Sequence, residues 1–275
     1  MGLKKEPAVP VEQLLTSLRV LVEDNGDIVK SGIDINDAFL LGFLVGRKHN
    51  LQAAYETVQK YVDVRRRKYV QFFSQVSPTG FIYLYDEPRF MAVLKHREQK
   101  TGCIVSLLRP PRDLSAIRQP FETILGLATL AADQFFYIDD AIKNGVIIVI
   151  SGEGFGFSHM KEVTPARLKT AVDICYQAYP MKVKQIHVVN CSTVFNTVLA
   201  IFKPFLPRKL RKRIVVHNTL ETFHAIFEPN IIPSWLGGNR REEADWEVYD
   251  YTFDMASLDN ADYYEKLAKK LAEGI

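Results

Sequence analysis

Between residues 37 and 69 the apolar positions Phe39, Leu40, Phe43, Leu44, Leu51, Ala54, Tyr55, Val58, Tyr61 and Val62 recur at the spacing of a helix face. A polar break at "RKHN" (47–50) divides the stretch, so the pattern predicts two consecutive helices. The "VRRRKY" that follows reads as a solvated helix end, because cations suit a helix C-terminus. The pattern then changes period. Four β-branched runs, "CIVSLL" (103–108), "VIIVI" (146–150), "IHVV" (186–189) and "IVVH" (214–217), alternate with apolar or amphipathic helical stretches. That alternation predicts βαβ units and a mostly parallel sheet. Thr164 and Pro165 make a helix start, a cap followed by a first-turn proline. Leu168, Ala171, Val172, Cys175 and Tyr179 then mark the face expected toward the sheet. The tail after Trp246 closes with "ADYYEKLAKKLAEGI" (261–275), which predicts a short surface helix.

The strand at 146–150 runs into a loop with glycines at 152, 154 and 156. A dinucleotide fingerprint needs G-x-G-x-x-G opening directly into a helix, with an acidic residue about 20 positions on. Here the order is G-E-G-F-G, the helix waits until Thr164, and the next strand ends at Val189-Asn190 with no acid. No Walker lysine follows either, so the glycines are read as letting the chain leave the sheet while Phe155 and Phe157 turn inward. The sequence holds no G-x-S-x-G and no H-E-x-x-H. Histidines at 49, 96, 159, 187, 217 and 224 never fall at a metal-ligand spacing with a carboxylate or thiol. His187 and His217, inside predicted strands, read as hydrogen-bonded core or rim residues. Neither a catalytic residue, a metal nor a cofactor is expected from these patterns.

Composition narrows the class further. A chain of 275 residues with 47% apolar content can bury a full core. Its 35 basic residues against 32 acidic ones are too even an account to argue for nucleic acid. Three widely spaced cysteines, at 103, 175 and 191, suggest neither a disulfide framework nor a zinc knuckle and fit a reducing compartment. The opening "MGLKKEPAVP" lacks the apolar core of a signal peptide, and no run approaches the roughly 18 apolar residues of a membrane span. A soluble, cytoplasmic protein is expected.

One segment stands out as functional. Residues 194–206, "VFNTVLAIFKPFL", are apolar on nearly every side and run into a basic cluster made of Lys203, Arg208, Lys209, Arg211, Lys212 and Arg213. An apolar helix beside such a cluster is suited to an anionic membrane surface, each cation contributing about 1 kcal/mol near the headgroups. Lys182 and Lys184 can join the same face. Nucleic acid is the weaker partner, since no aromatic residues are interleaved with these cations as stacking platforms.

"EGFGFSHMKEVTP", "YPMKVKQIHVVN", "FKPFLPRKLRKRIVVH" and "IIPSWLGG", in that order, resemble the successive signatures of the CRAL-TRIO lipid-transfer family, closest to its tocopherol- and retinaldehyde-binding branch. "DINDAFLLGFLVGRKHNLQAAYETVQKYVDVRR" resembles the helical region that precedes that domain. The resemblance covers roughly residues 35 to 245. It implies an α/β protein: a helical N-terminal domain (1–90), a CRAL-TRIO lipid-binding domain (91–245) whose mostly parallel sheet is covered by helices, and a C-terminal tail (246–275). It further implies a carrier that encloses one small hydrophobic ligand, such as a retinoid, tocopherol or carotenoid. The walls would come from Thr129, Ala132, Val146, Ile150, Phe155, Val163, Ile174, Cys175, Tyr179, Met181, Val183 and Ile186. Val194, Val198, Ile201 and Phe202 would form a gate that opens at the membrane. Lys182, Lys184, Lys209 and Arg213 would bind a phosphoinositide headgroup, making the protein peripherally membrane-associated. Lys184 stands where relatives have arginine, which keeps the charge but loses the bidentate fork. The chain also departs from the family at Ser151-Gly152, where an aspartate is common, and in "RPPRDLSAIRQP", which lacks the tryptophan relatives carry there. A phosphoinositide-responsive adaptor and an enzyme acting on lipids remain the alternative functions.

Overall fold

The computed structural model describes residues 9–80, 90–115, 117–250 and 259–274. The opening residues read for a leader lie, up to residue 8, outside this range. Four helices open the described chain: α1 (Val11–Glu23), α2 (Gly26–Val29), α3 (Asp37–Gly46) and α4 (Leu51–Asp63). Side-chain caps start three of them, Asn25, Asn36 and Asn50 each accepting a backbone N–H from the first turn. The break at "RKHN" is sharp because Lys48 and His49 both adopt left-handed backbone, after which Asn50 caps α4. The apolar faces of α1, α3 and α4 meet in a core of Leu18, Phe39, Leu40, Phe43, Leu44, Val58 and Tyr61. Gly46 closes α3 against the following domain so tightly that a Cβ there would stand 2.4 Å from the Pro180 carbonyl oxygen.

After α5 (Val70–Phe73) the chain builds a five-stranded sheet in sequential order, β1 (Met91–Val93), β2 (Ile104–Leu108), β3 (Val146–Ser151), β4 (Val183–Val189) and β5 (Ile214–Val216). All four sequence-predicted runs are strands. The edge strand β1 is the addition, pairing antiparallel with β2 while the other pairs are parallel. Between strands come α6 (Pro120–Gln134), α7 (Asp139–Lys143), α8 (Phe157–Glu162), α9 (Pro165–Val172), α10 (Thr193–Phe202) and α11 (Arg208–Arg211). Because the strands advance in one direction, right-handed crossovers place the helices that join them on one side of the sheet. The other side is covered by α12 (Leu220–His224) and the chain after it: Phe223, Phe227, Ile232, Leu236, Val248 and Tyr249 pack on Val105, Leu107, Ile147, Val149 and Val189.

That second face also buries His187 and His217, whose rings meet Nδ1 to Nε2 at 2.8 Å. Gln185 Oε1 stands 3.1 Å from His187 Nε2, and Thr222 Oγ1 stands 3.0 Å from His217 Nδ1. With the amide oxygen accepting from His187 Nε2–H, His187 Nδ1 accepts from His217 Nε2–H, so both rings are neutral in this assignment. Burial, and then the neighbouring ring, hold His187 down at about 4, and burial lowers His217.

Three sequence expectations change in the fold. The "VRRRK" stretch is not simply a solvated end: its π-helical backbone, Val64–Lys68, turns Arg65 into the interior. Arg65 Nη2 donates to Asp133 of α6 at 2.8 Å and to the Tyr179 hydroxyl at 2.5 Å, and its Cζ lies 3.5 Å from the Tyr61 ring centroid. Lys68 donates to Asp173, which also accepts from Tyr69 and Lys169. Burial works to raise that carboxyl, but the bonds from Lys169, Lys68 and Tyr69 outweigh it and hold Asp173 at about 2. Second, Thr164 does cap α9 by accepting from Arg167 N, yet the face beyond it does not turn to the sheet as a whole. Ala171, Ile174, Cys175 and Ala178 pack with Val64, Phe73 and Leu125, and Tyr179 joins the core of the helical region. Third, the terminal helix α13 (Ala261–Glu273) buries Tyr264, Leu267, Ala268 and Leu271 in the same layer as α5 and α6 instead of lying on the surface. Its amphipathic pattern announces a buried stripe but not the partner that covers it.

Removing one member of the buried Arg65–Asp133 pair strands the other charge. Arg65→Met is expected to cost about 3–5 kcal/mol in urea unfolding, and Arg65→Met combined with Asp133→Leu to recover most of that loss. The histidine pair binds protons more readily unfolded than folded, so its contribution is complete above pH 6.5 and declines as pH falls toward about 4. His187→Phe is expected to flatten the pH dependence of stability in that window, read from denaturation midpoints.

Candidate functional site

The two faces of the sheet are filled to different degrees. On the α12 side Val105, Leu107, Ile147, Val149, His187 and Val189 are all buried. On the crossover side Ile104 and Val146, at the N-terminal ends of β2 and β3, are sealed by Ala131 and Phe135 of α6. Further along the same face Leu108, Ile148, Ile150, Ile186 and Ile214 are only half-buried, although aliphatic and placed in the middle of the molecule. The helices opposite show the same deficit. No residue of α9 is buried, and in α10, whose sequence "TVFNTVLAIF" is almost wholly apolar, only Val198 is. A well-packed βαβ layer would seal these side chains. Here the apolar layer is incompletely sealed, although Val188, in register with Ile150 on the same face, is buried.

The loop after β3 ties this layer to α10. Gly154 takes φ +73°. Phe155 is half-buried, with its ring 5.0 Å from Phe195 of α10 and 4.9 Å from His159. His159 is pinned in turn, accepting from Gly156 N through Nδ1 and standing 2.6 Å from the Pro111 carbonyl through Nε2. Ser192 caps α10 and donates to the Phe155 carbonyl at 2.8 Å. The loop thus turns the chain and presents aromatic surface, as read from the sequence. Phe157 differs: it points outward and is 69% exposed. α8 packs against α10, and beyond it Ile201 and Phe205 are exposed as well, to 54% and 61%.

The predicted wall residues fall into two groups. Ile150, Phe155, Val163, Met181 and Ile186 are half-buried, and Ile150 and Ile186 border the unfilled layer directly. Val146 and Val183 are buried at the N-terminal ends of their strands. Thr129 and Ala132 in α6, with Ile174 and Tyr179, are packed into solid core, and Cys175 lies beside them. Burial pushes the Cys175 thiol up to about 12, so it is a protonated apolar filler there. Thr129 donates to the Gly126 carbonyl, while its own carbonyl accepts from Tyr179. Of the predicted gate, Val198 is buried, Val194 and Phe202 are half-buried, and Ile201 faces out. Residues the sequence reading omitted, Leu108, Ile148, Ile124 and Ala128, are half-buried too. For Leu108 and Ile148 the signal was the alternation along the strand, and for Ile124 and Ala128 the four-residue spacing along α6; either names a face but cannot say whether it is filled. A cleft of about 670 Å³, lined by residues such as Phe72, Val76, Gln119 and Arg167, opens elsewhere, between α5 and the start of α6.

The cations collect at the N-terminal end of β4. Arg213 donates through Nη1 to the Val183 carbonyl, which sets it beside Lys182 and Lys184. Burial, followed by repulsion from Lys184 and Lys48, lowers the Lys182 pKa. Lys48, far off in sequence, is therefore part of the same positive patch. Lys209 lies exposed on α11, immediately before β5. Among the described residues none of Lys48, Lys182, Lys184, Lys209 and Arg213 forms an ion pair with a carboxylate. Among those residues, too, no helix is long and apolar enough to cross a membrane.

Comparison with known proteins follows the same geometry. The model of the CRAL/TRIO domain matches residues 89–238. The chain is similar to an alpha-tocopherol transfer protein-like protein of Mus musculus, 28% identical over 235 residues, covering 84% of this chain and 67% of that one. The human protein of the same description is 28% identical over 209 residues, covering 76% of this chain and 60% of its own length. Clavesin-1 of Rattus norvegicus is 30% identical over 206 residues, 74% of this chain and 57% of that protein. Among solved structures, the crystal structure of Sfh5 superposes with a TM-score of 0.54 at 14% identity, covering 87% of this chain and 90% of that one, a likeness of fold alone.

Adjacent residues on opposite sheet faces test whether the crossover layer is unfilled. Ile150→Phe is expected to change stability by less than about 1 kcal/mol, whereas Val149→Phe, on the filled face, is expected to cost about 1–3 kcal/mol. Chemical denaturation measures both.

Proposed function

The chain belongs to the CRAL/TRIO domain family, and on that premise we propose that it is a carrier that binds one hydrophobic molecule, a retinoid, tocopherol, carotenoid or similar lipid, and transfers it between membranes. The observation that supports this reading is the half-buried aliphatic stretch of the sheet's crossover face, together with α9, which buries no residue, and α10, which buries only Val198. Apolar ligand surface placed there gains about 25 cal/mol per Å² and needs no charged anchor. The ligand-facing set comprises Ile150, Ile186, Phe155, Val163 and Met181, with Val194, Val198 and Phe202 on the covering helix. Thr129, Ala132, Val146, Ile174, Cys175, Tyr179 and Val183 back this set and shape its closed end.

Movement of α10 is the proposed route of entry and exit. It is held by few buried contacts, and segments with few such contacts open at low free-energy cost. The exposed Phe157, Ile201 and Phe205 would enter the membrane interface, while Lys182, Lys184, Lys209, Arg213 and Lys48 would meet anionic headgroups, a phosphoinositide among them. Apolar edge and basic patch are joined by the short stretch from Phe205 to Lys209, so both can engage one surface. Catalysis is not part of the reading: the bound molecule leaves as it entered.

Loading the purified protein with a fluorescent retinoid or tocopherol and following its arrival in acceptor vesicles tests both halves. Replacing Lys184 and Lys209 by Ala is expected to preserve ligand affinity while slowing delivery severalfold to phosphoinositide-containing vesicles, and not to neutral ones. Equal rates to both acceptors would remove the membrane half of the proposal. A protein that docks on those vesicles yet never retains a lipid would be an adaptor instead.

A further inference from the structure

On the crossover face of the sheet one position breaks the aliphatic pattern. Ser106 lies in the middle of β2, between Ile104 and Leu108, and its register partners are Val93 of β1 and Ile148 of β3. Serine is a poor strand former, and at an interior position its hydroxyl needs a partner. Among the described residues Ser106 Oγ has none. Among the described residues the one fully sealed side-chain polar atom without a hydrogen bond is Arg65 Nη1, so the Ser106 hydroxyl, although its residue is only 6% exposed, is not fully sealed. The open space on this side of the sheet is the unfilled layer, since its neighbours Leu108 and Ile148 are half-buried there. Other hydroxyls near that layer are spent on the backbone: Thr129 on Gly126, Thr123 on Arg118, and Ser192 on Phe155.

We propose that Ser106 is the polar anchor of the bound ligand and that it selects a molecule with a neutral oxygen, an alcohol or a carbonyl, over both a hydrocarbon and a carboxylate. The inference rests on the carrier reading and names the class of cargo. A hydrocarbon leaves the hydroxyl unpaired once water is displaced. An ionised carboxyl would enter a face on which Val93, Ile104, Leu108, Val146, Ile148, Ile150, Ile186 and Val188 supply no counter-charge, and an unpaired buried anion is strongly penalised. A neutral oxygen accepts from or donates to Ser106 Oγ without either cost. Because Ser106 stands mid-strand, the oxygen would sit against the sheet with the apolar remainder extending along Ile148, Ile150 and Ile186 toward α10.

The test uses one carbon skeleton with three ends: phytol, phytane and phytanic acid at pH 7, with affinities for the full chain measured by displacement of a fluorescent lipid probe. Phytol is expected to bind about tenfold more tightly than phytane, a difference of about 1.4 kcal/mol, and phytanic acid to bind more weakly than phytol. Ser106→Ala, which removes the hydroxyl that phytane would strand, is expected to tighten phytane and weaken phytol so that the preference shrinks to within about twofold, with the thermal midpoint of the variant reported beside it. Ser106→Thr, which keeps the hydroxyl on a better strand former, is expected to retain the preference. Equal binding of phytol and phytane by the unsubstituted protein, or a preference that survives Ser106→Ala, would overturn the anchor while leaving the carrier reading standing. Failure of all three to displace the probe would count against the carrier reading itself, and the anchor with it.

Discussion

The contact between Arg65 and Asp133 positions the rest of the molecule. It joins the helical region to α6, and α6 is the helix that seals the N-terminal half of the sheet's crossover face. A guanidinium taken out of water is costly, and it is tolerated here because Asp133 neutralises it, Tyr179 accepts from it and the Tyr61 ring covers one side. Tyr179 then leads directly into Pro180, against which Gly46 closes, and into Lys182 and Val183 at the start of β4. One buried charge therefore ties the helical region both to α6 and to Tyr179, just ahead of β4.

Given that frame, the sheet has unequal faces for a topological reason. Sequential parallel strands joined by right-handed crossovers commit the connecting helices to one side, and the chain after β5 is left to cover the other. That final segment is short, rich in Phe, Ile and Leu, and fits closely on β2, β3 and β4. The connecting helices span more than they fill. α6 descends onto the sheet, whereas α9 buries no residue, and its Ala171 is only partly covered in the layer of α5, α6 and α13. An apolar layer left in this condition is a poor core, and the carrier reading assigns it to a lipid.

On the proposed function, the work divides between two kinds of surface. The interior offers half-buried aliphatic side chains and the Ser106 hydroxyl, which has no partner among the described residues. The exterior offers exposed aromatic and aliphatic side chains and cations that, among the described residues, have no carboxylate partner. In that reading burying a ligand needs no charge and attracting a membrane needs no cavity, so substitutions in one are separable from the other by measurement. α10 takes part in both, burying Val198 and showing Ile201 to solvent.

Much of this was legible in the residues. Periodicity announced α3, α4 and the four parallel strands, Thr164 and Pro165 marked the start of α9, and the ordered signatures between Glu153 and Gly238 identified the family. The glycine loop was read as waiting for a helix at Thr164, whereas the chain enters α8 at Phe157, directly after Gly156. Other features depended on chain segments remote from one another. "VRRRK" looked solvated because a charge run shows no partner, and Asp133 stands 68 positions away from Arg65. Lys48 joined the basic patch only when two left-handed residues turned the chain beside β4. Phe157 read as inward because an aromatic after a glycine loop suggests core, while the orientation of α8 decided otherwise. Alternation along β2, β3 and β4 determined which residues share a face. Whether that face is packed or left open depended on the helices laid across it, because burial is a property of two surfaces and a sequence pattern describes only one.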